Sequence, residues 1–197
     1  MRCPTVPLCR WHYEVISLHS MPQAFSVEEC EWIITTVASS PSQEALLVGK
    51  NRDHNQRCAE LVWVDNVDGM GWIMDRVIEI VRTSNRDQFD FDLSDFAESP
   101  QVATYKAEAG GHFAWHSDIG DGQLAKRRKL TLVLQLSKPN SYEGGDLQVM
   151  PCANVFAASR DQGCVSIFPS FNLHQVTPVT RGIRHSFTVW AHGPSFR

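Results

Sequence analysis

The chain has 197 residues and a formal net charge of −4, with 43% apolar and 20% charged residues. That length holds one domain with a sizeable core, and the ordinary composition excludes a disordered or low-complexity chain. The acidic balance argues against a broad nucleic-acid footprint, and no apolar run approaches a membrane span.

The opening MRCPTVPLCRWHYEV has no continuous apolar segment, so a signal peptide is not expected. Cysteines stand at 3, 9, 30, 58, 152 and 164 with no Cys-x-x-Cys pair. They read as reduced thiols of a cytoplasmic protein and not as a zinc ribbon. SVEECEWIITTVASS starts with Ser26 and has Glu29 three residues on, a capping box. Trp32, Ile33 and Val37 follow at helical spacing. GWIMDRVIEIVRTSN repeats the pattern with Ile73, Val77, Ile80 and Val81 on one face. Both helices need a sheet to cover.

Beyond LSDFAESP (93–100) the period changes. QVATYKAE, HFAWHSD, KLTLVLQLS, DLQVM, CVSIFPS and IRHSFTVWAHG are short alternating runs between turn residues. In KLTLVLQLS, Leu130, Leu132, Leu134 and Leu136 share one face, and Thr131, Val133 and Gln135 the other. The expected organisation is residues 1–95 as a helical and strand portion bracing the sheet, and 96–197 as the β core, forming one compact unit. Many short strands predict a sandwich or jelly roll, mainly β with bracing α-helices.

HFAWHSD carries the chemistry. On a strand, His116 and Asp118 point the same way and can converge on one ion, with Phe113 and Trp115 on the opposite, apolar face. A lone His-x-Asp pair is a weak signal, since most are polar surface patches. His174 supplies a third ligand, and two histidines with one carboxylate make the facial triad of non-haem Fe(II) oxygenases. Arg184 follows ten residues later, with Ser186, Thr188 and Trp190 on the same strand face. An inward guanidinium is costly without an anion and suits bidentate capture of a carboxylate.

His-x-Asp, a distal His and Arg-x-Ser together resemble the Fe(II)/2-oxoglutarate dioxygenases of the prolyl 4-hydroxylase type. RKLTLVLQLSKPNSYEGGDLQV and FPSFNLHQVTPVTRGIRHSFTVWAHGP are most similar to the PKHD-type hydroxylases, over roughly residues 85–194, including YKAEAGGHFAWHSD. The resemblance implies a double-stranded β-helix, a distorted jelly roll. It implies Fe(II) on His116, Asp118 and His174, and a 2-oxoglutarate carboxylate on Arg184 and Tyr105. Ser186, Gln135, Trp190 and Thr131 are further cosubstrate-pocket candidates. O2 is the co-reactant and ascorbate a candidate reductant. The implied reaction hydroxylates an unactivated C–H of an amino-acid, peptide or natural-product-like substrate, releasing succinate and CO2. Halogenases of this fold lack the aspartate, so Asp118 favours hydroxylation.

Two other readings stay open. Nucleic-acid demethylases of this fold usually carry a further arginine past the anchor; HSFTVWAHG has none. A cupin-like metal-binding protein without turnover would have no arginine placed like Arg184. Neither nucleic acid nor membrane is an expected partner, and the oligomeric state stays open. Loops 40–60 and 119–128 should choose the substrate but carry no readable code. His112 shares the parity of His116 and reads as a polar pocket residue; His185 faces away from Arg184; His192 reads as exposed at a strand end. Lys126 to Lys129 read as a solvated loop, YEGGDL as a tight turn, and Trp63, Trp72 and Trp115 as core.

Overall fold

The computed structural model describes residues 18–40, 42–44 and 56–196. The signal-peptide expectation, Cys3, Cys9 and much of loop 40–60 lie outside them. Among the described residues Cys30, Cys58, Cys152 and Cys164 form no disulfide. No described helix is long and apolar enough to cross a membrane.

In chain order the strands are β1 (His19–Met21), β2 (Gln43–Glu44), β3 (Arg57–Cys58), β4 (Glu60–Trp63), β5 (Gln101–Lys106), β6 (His112–His116) and β7 (Arg128–Gln135). They continue with β8 (Tyr142–Gly144), β9 (Leu147–Met150), β10 (Phe156–Ala157), β11 (Val165–Pro169), β12 (Leu173–Val176) and β13 (Val179–His192). The helices are α1 (Val27–Ala38) and α2 (Gly71–Ser84).

Local chemistry explains the helix ends and faces. Glu29 N donates to Ser26 Oγ at 3.2 Å, and Ser26 N donates to Glu29 Oε2 at 2.8 Å, closing the expected capping box of α1. Ile33 and Val37 are buried with Cys30, but Trp32 is 42% exposed and only leans on Trp72. Expecting Trp32 in the apolar stripe was therefore wrong; the stripe runs through Cys30. Ile73, Val77, Ile80 and Val81 of α2 are buried as their spacing predicts.

Two antiparallel sheets make the body. The larger runs β1-β11-β7-β13-β5-β4-β2, with β8 on β13; the smaller runs β10-β9-β12-β6-β3. This is the mainly β, jelly-roll architecture expected, with helices as braces. Strands from before residue 95 enter both sheets. The outer face of the large sheet packs Leu130, Leu132, Leu134, Leu136, Phe187 and Val189 against both helices. Each such buried side chain contributes about 1.5–3 kcal/mol. The inner face is polar where β7 and β13 pair: Thr131 lies across from Trp190, Gln135 from Ser186 and, through β5, Tyr105 from Arg184.

Two irregularities shape that inner face. Between His174 and Val176 of β12 the partner moves from His116 to Phe113, leaving one extra residue in β6. Between Ala191 and His192 of β13 the partner moves from Leu130 to Arg128, leaving one extra residue in β7. A bulge resets alternation and re-aims the side chains beyond it. His174 itself stands on a short strand that the alternation pattern did not single out.

Candidate metal centre and cavity

His116 ends β6, and β12 sets His174 directly across from it. Asp118 follows, pinned where its N–H donates to Ser170 O at 2.9 Å. Ligand atoms of His116, Asp118 and His174 all lie within 4.8 Å of one another, the one such group among the described residues. His116 Nε2 is 3.6 Å from Asp118 Oδ1, and His174 Nε2 is 3.5 Å from Oδ2.

The tautomers follow from the hydrogen bonds. His116 Nδ1 is 2.8 Å from Ala114 O, and His174 Nδ1 is 3.0 Å from Asn172 O. A carbonyl only accepts, so each Nδ1 donates there, and each Nε2 is the ring atom left facing Asp118. Burial pushes His174 down from its ordinary value, which favours its neutral form. Burial opposes ionisation of Asp118, but His174, His116 and Arg128 together hold its carboxyl well below the usual range. Two imidazoles and a carboxylate at this spacing could hold a divalent first-row metal, and the donor set suits Fe(II).

Three further side chains brace Asp118. Thr131 Oγ1 donates to Oδ2 at 2.7 Å and Trp190 Nε1 donates to the same oxygen at 2.9 Å. Thr131 is a cosubstrate-pocket candidate and Trp190 one expected near the iron; both orient the Asp118 carboxylate. Arg128 donates to Asp118 O at 3.0 Å and stacks on Trp190, 3.9 Å from the ring centroid. It also forks onto Glu98, Nε to Oε2 at 2.5 Å and Nη2 to Oε1 at 2.6 Å. His192 Nε2 lies 3.0 Å from the same Oε2. Burial would raise Glu98, but the His192 and Arg128 hydrogen bonds prevail and bring it to about 2.

These contacts correct two expectations. Arg128 and Lys129 are buried, not solvated, because the β7 bulge turns Arg128 onto the Thr131 face while Lys129 Nζ sits 3.4 Å from the Phe196 centroid. Lys126 alone of the four is exposed. His192 is fully buried, not exposed, being capped by Ala97 N and Glu98.

Arg184 is 2% exposed. Its Nη1 reaches Ser186 Oγ at 3.3 Å and its Cζ stands 5.5 Å from the Tyr105 ring centroid. Its Nε is buried with no hydrogen-bond partner, and no described carboxylate pairs with it. An unpaired buried guanidinium is expensive, so the pocket is built for an anion. Gly145 makes room: a Cβ there would come within 3.0 Å of Arg184 Cδ, at φ +64. Gln135 donates to Tyr142 Oη at 3.1 Å in a small recess beside Arg184, rather than lining the main space. Nothing in the sequence had pointed to Tyr142.

One cavity of about 550 Å³ joins His116, Asp118 and His174 to Arg184, Tyr105, Ser186, Thr131 and Trp190. Phe113 also lines it and stacks on His116, 3.5 Å between centroids. The expectation that Phe113 faces away from His116 fails because the β6 bulge breaks the parity between them. By the same bulge His112 leaves the cavity; its Nδ1 meets Gly110 O at 2.7 Å. Trp63 packs against the core around Leu61 and Tyr105 as expected and also lines the cavity; Trp72 packs against the larger core, while Trp115 is half-buried outside every core cluster. His185 faces away as expected, its N–H and ring both on Ser137.

Residues 100–192, which hold the metal-site candidates and Arg184 but not the cavity-wall residues Trp63 and Glu98, match the model of the 2OG-Fe(II) oxygenase superfamily. That segment, just under half of the chain, resembles a 2OG-Fe(II) oxygenase domain. A PKHD-type hydroxylase of Hyphomonas neptunium is 37% identical over 84 residues, 41% of this chain and 38% of that one. Another, from Cupriavidus pinatubonensis, is 39% identical over 87 residues, 44% and 37% of the two chains. The matched segments thus span less than half of those relatives. Two solved structures share the oxygenase fold. A Trichoplax adhaerens prolyl hydroxylase, in complex with a peptide fragment of the hypoxia inducible factor oxygen degradation domain, superposes with a TM-score of 0.74 at 15% identity, covering 89% of this chain and 83% of that one. A Pseudomonas putida prolyl-4-hydroxylase gives 0.71 at 18% identity over 90% and 93%.

Proposed function

We propose that this oxygenase domain hydroxylates an unactivated C–H of an amino-acid, peptide or natural-product-like substrate, consuming 2-oxoglutarate and O2 and releasing succinate and CO2. The observation that carries the reading is Arg184, buried and without a counter-ion in the cavity that also holds His116, Asp118 and His174. Bound Fe(II) would supply the O2 and C–H chemistry.

The chain's own residues then have distinct tasks. His116 Nε2, His174 Nε2 and Asp118 would hold the metal. Thr131 and Trp190 keep the carboxylate turned toward it. Arg184, helped by Tyr105 and Ser186, receives the distal carboxylate of 2-oxoglutarate and offsets its charge. Leu61, Trp63, Phe113 and Ile119 give the cavity apolar walls that limit water. A cytoplasmic setting and ascorbate as reductant belong to the same proposal and have no residue of their own here.

Anaerobic titration with Fe(II) and then 2-oxoglutarate tests it. The wild type should develop the visible charge-transfer band of the chelate, and His174→Ala should lose it. Fe(II) binding without a band would instead favour a cupin-like metal-binding protein.

A further inference from the structure

The cavity wall holds a second unpaired arginine that the 2-oxoglutarate site does not use. Arg57 lies on β3, directly across from Phe113 of β6. Ala114 N donates to Gln56 O at 2.8 Å and Gln56 Nε2 donates to Trp115 O at 3.4 Å, which fixes β3 against the bulge. The Arg57 guanidinium carbon is 4.5 Å from the Phe113 centroid. Phe113 in turn stacks on His116 at 3.5 Å and 16°. Taken together the two steps put the cation within about 8 Å of the His116 imidazole. Its Nε is buried with no hydrogen-bond partner among the described residues.

Charge balance makes this informative. Glu98 and Arg128, which also line the wall, pair with each other. Asp118 is matched by the imidazoles and the ion they could hold, and Arg184 by the cosubstrate. Arg57 is left as an excess positive charge facing the remaining space, among Leu61, Trp63, Phe113 and the amide of Gln101. A guanidinium that lines a cavity with no carboxylate to offset its charge is suited to capture of a carboxylate from a ligand. An aromatic face beneath it holds the fork in place at little entropic cost.

We propose that Arg57 binds a carboxylate of the substrate, so that the molecule oxidised is an amino-acid-sized carboxylate with an apolar body and the attacked carbon a few bonds from the carboxylate. The proposal rests on the oxygenase reading above and narrows its substrate class. The interior of a neutral peptide offers Arg57 no such group.

The test uses N-acetyl amino acids with apolar side chains, each as the free acid and as the primary carboxamide. The protein, loaded with Fe(II) and 2-oxoglutarate, is assayed for succinate formed above the uncoupled rate. The acids should stimulate at concentrations at least about ten-fold below the amides. Arg57→Gln should raise the half-saturating concentration of an acid to that of its amide; the variant's chelate band reports that it is folded and loaded. Acids no better than amides, whether both act or neither does, would overturn the proposal. So would an Arg57→Gln variant whose half-saturation for an acid stays within two-fold of wild type. Absence of the band in the wild type would sink the oxygenase reading itself; a normal band without acid preference sinks only the substrate class.

Discussion

Asp118 is the residue on which the site turns. One of its oxygens is taken by Thr131 and Trp190, which leaves the other beside His116. Partners of this kind orient a ligand and typically account for 10–100-fold in metal affinity. Thr131→Val keeps the shape and removes the hydroxyl, and should weaken Fe(II) binding by about ten-fold in a competition titration with a chelator. Unchanged affinity would mean that Trp190 alone suffices. Arg184 makes a complementary prediction. Arg184→Gln should leave Fe(II) affinity near wild type and raise the 2-oxoglutarate concentration needed for the chelate band by more than about ten-fold. If both affinities fall together, Arg184 is structural.

Bulges and turns decide where these side chains go. The extra residue in β6 turns Phe113 onto His116, and the one in β7 turns Arg128 into the wall. Gly145, in the turn between β8 and β9, belongs to the same scale. Alanine there meets both a positive φ and the Arg184 side chain at 3.0 Å. Gly145→Ala should therefore raise the KM for 2-oxoglutarate several-fold more than it alters Fe(II) affinity. Equal losses in both, with a lowered Tm, would point to general strain of the turn instead. Alternation along KLTLVLQLS and IRHSFTVWAHG was readable because each strand buries its outer face against helices. It failed at His112, Phe113 and Arg128, each beyond a one-residue insertion that hydropathy does not mark. His192 failed differently, since a strand end is exposed only where nothing covers it, and the loop through Ala97 and Glu98 does.

Two half-buried groups tie the whole molecule to acid. Burial, with the nearby Arg184 and Lys106 charges, pushes His185 from 6.5 to about 4. The unfolded chain takes up a proton there that the folded chain refuses, so stability is intact above about pH 6.5 and falls toward pH 4. Glu98, brought from 4.5 to about 2, adds stability present above 4.5 and lost as pH falls to 2. The urea midpoint should decline from pH 7 to pH 5, by on the order of 1–2 kcal/mol of stability from His185. His185→Gln should show a smaller decline over that interval. An identical decline in both would remove His185 as its source.

By itself, the sequence determined the period of each element, the capped helices, the outer face of the large sheet, and the candidate ligands His116, Asp118, His174 and Arg184. Those follow from local rules: alternation, capping and the spacing of donors along one strand. Tertiary structure alone decided which charges are compensated. Arg128 meets Glu98, thirty residues away along the chain, while Arg184 and Arg57 meet no described carboxylate. A charge declares its partner only when distant strands have packed, because burial and pairing are properties of the space between the sheets.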